Sequence, residues 1–147
     1  ISDAEGKVRF TTNFPGCYDG RWPHIHFEVF ESIEKAVDGE ASVLTAQIAF
    51  REDDCARVYE SNEAYSNGIR NLGRITLASD NVFADNTAEQ ISQQTMPVIG
   101  AADTGYQGTV TIPIDFDADR NVSMGPPGGG GFFNRMFGGN PPSPQDN

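Results

Sequence analysis

Phe14-Pro15-Gly16-Cys17-Tyr18-Asp19-Gly20-Arg21-Trp22-Pro23-His24-Ile25-His26-Phe27-Glu28-Val29-Phe30 is the stretch on which the architecture turns. From His24 onward its residues alternate in character. Ile25, Phe27 and Val29 fall on one side of an extended chain, and His24, His26 and Glu28 on the other, because successive strand side chains point to opposite faces. The pattern predicts a half-buried strand from His24. Phe14-Pro15-Gly16 reads as the break before it. Both histidines of the protein lie in this run. At a spacing of two they share a face, about 6.5–7 Å apart along the chain, a placement from which two imidazoles can chelate one metal ion.

Working outward, Val8, Phe10 and Thr12 alternate with polar or small neighbours. Val43 to Phe50 places Leu44, Ile48 and Phe50 at apolar positions, and Gly108 to Phe116 alternates most clearly. Pro113 puts that last run at a sheet edge or a strand end, because it cannot donate to a ladder. Between Glu52 and Gln94 strand periodicity is weak, and Asp, Asn, Ser and Gly are frequent. One or two short helices are expected there, for example Asp54 to Ser61. The expected class is all-β, with long loops of the kind that line a site. No internal repeat is visible. Residues 125–147 hold seven Gly and five Pro, with Phe132, Phe133 and Phe137 among them. The reading is a unit over 1–122 and an irregular or disordered tail over 123–147.

Ten Lys and Arg against 21 Asp and Glu give a net charge of −11 over 147 residues. Phosphate neutralisation needs a basic footprint, so nucleic acid is excluded as the expected partner. A polybasic membrane surface is excluded likewise. No apolar run approaches the length of a membrane span. A hydrophobic content of 37% with 10% aromatics is enough for a core, which excludes global disorder. Cys17 and Cys55 read either as two buried thiols or as a single disulfide. The first residue is Ile1, with no targeting pattern after it.

Tyr18-x-x-Arg21-x-x-His24-x-His26 adds a phenol and a permanent cation to the imidazole pair. A phenol ordinarily ionises near pH 10, and a hard cation such as ferric iron can displace its proton. Arg21 can hold an anionic substrate or intermediate. With two His and no Cys cluster, a closed zinc site is not expected.

Thr11-Thr12-Asn13-Phe14-Pro15-Gly16-Cys17-Tyr18-Asp19-Gly20-Arg21-Trp22-Pro23-His24-Ile25-His26 resembles the signature of the intradiol ring-cleavage dioxygenases, the catechol and protocatechuate dioxygenases with non-haem iron. Thr45-Ala46-Gln47, Asp80-Asn81-Val82-Phe83 and Gly105-Tyr106 through Phe116 resemble later parts of the same family, so the likeness spans roughly residues 5–117. The resemblance implies an intradiol-dioxygenase-like β-sandwich with non-haem Fe(III). Tyr18, His24 and His26 would be metal ligands, and Arg21 would steady the anion formed during cleavage. Gln47 would be a polar neighbour of substrate. The implied substrates are a catechol-type diol and O2, and the product is a muconate-type diacid. Cys17 stands where the family usually has Trp, and Phe14 where Tyr is common.

The family's second tyrosinate has no clear match, since Tyr59, Tyr65 and Tyr106 lie in unlike segments. The chain is therefore expected to be the C-terminal part of such a domain, with the missing N-terminal half supplying that ligand. Homo-oligomer formation is left open. Two alternatives compete. One is a non-catalytic β-sandwich acting as a binding or interaction module. The other is a cupin-like metal protein using His24, His26 and Glu31, which lacks the further histidine that cupins take from a later strand.

Overall fold

The computed structural model describes residues 1–39 and 42–116. Strand β1 (His24–Val29) and strand β2 (Leu44–Phe50) form an antiparallel pair. Its register runs from His24 opposite Ala49 to Val29 opposite Leu44. Strand β3 (Thr95–Met96) lies parallel to the end of β2. Strands β4 (Val98–Ala101) and β5 (Gly105–Gly108) make a separate antiparallel hairpin. Thus β1 and β2 fall where the alternation of the sequence places them.

The class differs from the all-β expectation: among the described residues, five strands in two small sheets stand with several helices, making a mixed α/β domain. Helix α1 (Ile33–Val37) starts on Ser32, whose side chain accepts from the Lys35 N–H. Helix α2 (Glu52–Glu60) opens with Glu52, Asp53 and Asp54, acids that suit the positive end of a helix dipole. It matches the helix expected near Asp54 to Ser61. A 3-10 turn (Glu63–Tyr65) leads into helix α3 (Ser66–Leu72). Helix α4 (Ala88–Gln94) begins with a capping box between Thr87 and Gln90. Short polar helices of this kind carry few apolar positions, which is why periodicity left most of them unread. No helix among the described residues is long and apolar enough to cross a membrane.

Two expected strands do not form as read. The run through Val8, Phe10 and Thr12 joins no ladder, and Val8 and Phe10 are exposed. Of the last run only Gly108 pairs, at the end of β5, while 109–115 has no regular structure. Three carbonyls of the segment that precedes β1, those of Phe14, Pro15 and Cys17, are satisfied by side chains. Tyr65 Oη donates to Phe14 O at 3.0 Å, Tyr59 Oη donates to Pro15 O at 2.9 Å, and Asn71 Nδ2 donates to Cys17 O at 2.9 Å. Backbone groups need a partner but not a strand. The Gly/Pro-rich stretch 123–147 lies outside the described residues.

The main core joins Trp22 and Cys17 to Phe50 of β2, Cys55, Val58 and Tyr59 of α2, and Phe83. The Trp22 indole N–H donates to Phe50 O at 2.9 Å, pinning the entry of β1 to the end of β2. Cys17 and Cys55 are both buried and form no disulfide, as the two-thiol reading has it. Burial pushes the Cys55 thiol up to about 12. A smaller cluster holds Leu44 and Ala46 with Phe27, Val29 and Ile112.

Phe83 is 1% exposed, so Phe83→Ala is expected to cost ~3–5 kcal/mol by leaving a cavity. Tyr59→Phe removes only a hydroxyl and its bond to Pro15 and is expected to cost ~1 kcal/mol. Urea unfolding of the two variants checks the ranking, and equal losses would contradict it.

Candidate metal centre

The centre is built on a turn and one face of a sheet. The Arg21 N–H donates to Tyr18 O at 3.3 Å, closing a four-residue turn. Its third residue, Gly20, has φ 78°, the left-handed value that a type II turn requires at that position. The turn folds Tyr18 and Arg21 towards each other, and Arg21 Nη1 donates to the Tyr18 oxygen at 3.5 Å. In the sheet, His26 stands opposite Gln47. Directly opposed residues share a face, so Gln47 joins His24 and His26 on one side. Arg21 Nη2 donates to Gln47 Oε1 at 2.5 Å, which links the turn to that face.

His24 is half-buried between two rings, Tyr18 at 5.9 Å and Phe83 at 6.4 Å between centroids. Its Nδ1 lies 2.6 Å from Trp22 O. In the neutral ring Nδ1–H donates to that carbonyl, which leaves the lone pair on Nε2, an arrangement that prepares imidazole for a metal. Burial lowers the His24 pKa. The bond to the Trp22 carbonyl works against this, Arg21 adds to it, Asp80 opposes it and His26 adds to it. His26 is more exposed, with Nε2 3.7 Å from Glu28 Oε1.

The sequence marks Asp80 only within a stretch that resembles a later part of the family, and its place beside Arg21 comes from the fold. Its side chain is fully buried. Oδ2 accepts from Arg21 Nε at 2.9 Å and from the Trp22 N–H at 2.7 Å. Oδ1 accepts from the N–H groups of Val82 at 2.8 Å and Phe83 at 3.1 Å. Burial alone would push its pKa up, but these backbone donors and the Arg21 guanidinium hold it below the ordinary aspartate value. Asp followed by two residues whose N–H groups fold back on it is a familiar local turn. That signal locates the turn and says nothing of Arg21, 59 positions away.

All five residues singled out in the sequence therefore belong to one locality. Arg21 touches Tyr18 and Gln47 directly, Tyr18 packs on His24, and His26 lies across from Gln47. The other tyrosines do not join them. Tyr59, Tyr65 and Tyr106 gather round Phe14, and the first two hydroxyls are committed to backbone carbonyls. Among the described residues no three His, Cys, Asp or Glu side chains converge as a metal-holding group. Glu31, the acid of the cupin alternative, pairs with Lys35 at 2.6 Å. Two imidazoles and a phenol remain as the donors that could hold a metal. They fit a hard, oxygen- and nitrogen-seeking cation, and the committed Nδ1 of His24 is the structural feature that supports that fit.

No protein-family model, curated protein or solved structure matches this chain. What the site can do therefore follows from its own residues.

In the metal-free protein, His24 is expected to titrate below 6.5, the ordinary histidine value. The folded state then resists protonation of this ring. Stability is full above the unfolded-state pKa and falls as pH drops from there towards the lower folded-state value. A proton NMR titration checks this, and a midpoint at or above 6.5 would contradict it.

Proposed function

We propose that this chain carries the iron-binding part of a ferric, intradiol-type dioxygenase that cleaves a catechol-type diol with O2 to a muconate-type diacid. The reading rests on one observation above the others: a phenol, an imidazole locked through Nδ1 and a braced guanidinium meet beside Gln47 and the second imidazole. Tyr18, His24 and His26 would hold Fe(III). When bound, Fe(III) supplies the Lewis acid that holds the diol as its dianion. Tyr18, deprotonated as an iron ligand, would be the base that takes a proton from the incoming diol. Arg21, tied to Asp80 and Gln47, presents its remaining N–H groups where negative charge builds up, without having to reorganise at that moment. The second tyrosinate is proposed to come from a polypeptide segment beyond this sequence. Within the proposal, the two small sheets belong to an intradiol-like sandwich completed by that segment.

Tyr18 is 55% exposed, and this openness favours one alternative, a related binding module without catalysis.

Iron loading and optical spectroscopy of the protein test the reading. A visible tyrosinate-to-iron band is expected, and Tyr18→Phe should abolish it. His26→Ala should weaken iron binding by more than the roughly 10- to 100-fold typical of losing a group that only orients a ligand. Both changes should remove catechol-dependent oxygen uptake. Uptake unchanged in the two variants would sink the dioxygenase reading, and a band without uptake would favour the binding module.

A further inference from the structure

We propose that Asp80 is the positioning residue of this site, a single buried carboxylate that sets both the Arg21 guanidinium and the tautomer of His24. The inference rests on the function proposed above, but its deciding measurement needs no iron.

Four N–H donors reach the two oxygens of Asp80: Arg21 Nε and the Trp22 N–H on one, the Val82 and Phe83 N–H groups on the other. The carboxylate therefore has no rotational freedom to spare. A guanidinium is planar, so fixing Nε on Asp80 also fixes the plane of the other two nitrogens. Those are the ones that reach the Tyr18 oxygen and Gln47 Oε1. The second arm runs through Trp22. Its N–H is held by Asp80 and its indole by Phe50 O, and its carbonyl faces His24 Nδ1. A carbonyl held in that place accepts a hydrogen bond and cannot donate one, so it selects the Nδ1–H form of the ring. The cation and the ligating imidazole are thus aligned by the same group. Asp80→Asn cannot reproduce this, because whichever way the amide turns, its NH2 faces two of the four donors.

The test is nitrogen-15 NMR on the metal-free full chain, wild type against Asp80→Asn. In the wild type, the Arg21 Nε–H should exchange with water at least about tenfold more slowly than that of exposed Arg74, given a charge-assisted bond to a buried partner. Neutral His24 should be protonated on Nδ1. In Asp80→Asn the slow exchange should be lost and His24 should become a mixture of tautomers. A purely structural carboxylate would lower the melting temperature and leave both signals of the folded protein unchanged, and that result overturns the proposal. If Asp80→Asn fails to fold, the wild type still decides: an Arg21 Nε–H exchanging as fast as that of Arg74 also overturns it. In iron-loaded protein, Asp80→Asn should weaken binding of catechol itself roughly 10- to 100-fold while the visible band persists. Undiminished catechol binding overturns the proposal. Absence of the band from the wild type would instead overturn the dioxygenase reading, leaving the Asp80 assignment to the iron-free spectra.

Discussion

A carboxylate with no solvent exposure must be compensated, and in this protein the compensation of Asp80 organises everything near it. A buried charge left unpaired costs several kcal/mol. The chain meets that cost with one guanidinium and three backbone N–H groups. Two of the four donors come from Arg21 and Trp22, and two from the turn after Asp80 itself. The interaction therefore joins two loops that are distant in sequence. It also fixes the direction in which β1 leaves Trp22. Without it, the turn that carries Tyr18 and Arg21 would rest on the Arg21–Gln47 and Trp22–Phe50 bonds for its ties to the sheet that carries His24, His26 and Gln47.

The second constraint is backbone satisfaction. The segment before β1 is buried or half-buried at Phe14, Pro15 and Cys17, and no strand among the described residues pairs with their carbonyls. Helix α2, the 3-10 turn and α3 supply side-chain donors instead: Tyr59, Tyr65 and Asn71. The Tyr59 ring also lies close against Gly68, where a Cβ would sit 3.2 Å from the ring. A larger residue there would press on the tyrosine that holds Pro15. The helical layer thus acts on the site at one remove, by holding the loop that presents Cys17 and Tyr18.

Some of this was legible in the residues. Alternation in His24–Val29 and Leu44–Phe50 marked both strands, because a half-buried strand needs period two. The spacing of Tyr18, Arg21, His24 and His26 marked their grouping as a candidate site, since a turn and a strand are local structures that bring near residues together. The apolar beat of Val8, Phe10 and Thr12 misled. Alternation shows which side chains could share a face, and it does not supply the neighbour that a ladder requires. The helices after Glu52 were mostly hidden because their buried positions are few and their polar faces wide.

By itself, the sequence determined the acidic charge, the two central strands and the local grouping of phenol, cation and imidazoles. These depend on composition and on neighbours a few residues apart. Only the tertiary structure decided that the domain is mixed α/β, that Tyr59 and Tyr65 serve the backbone, and that Asp80 rather than any nearer acid pairs with Arg21. The physical reason is shared by all three. A buried donor or acceptor must find a partner in space, and the chain of 21 acids carries no local mark showing which one the fold will bury.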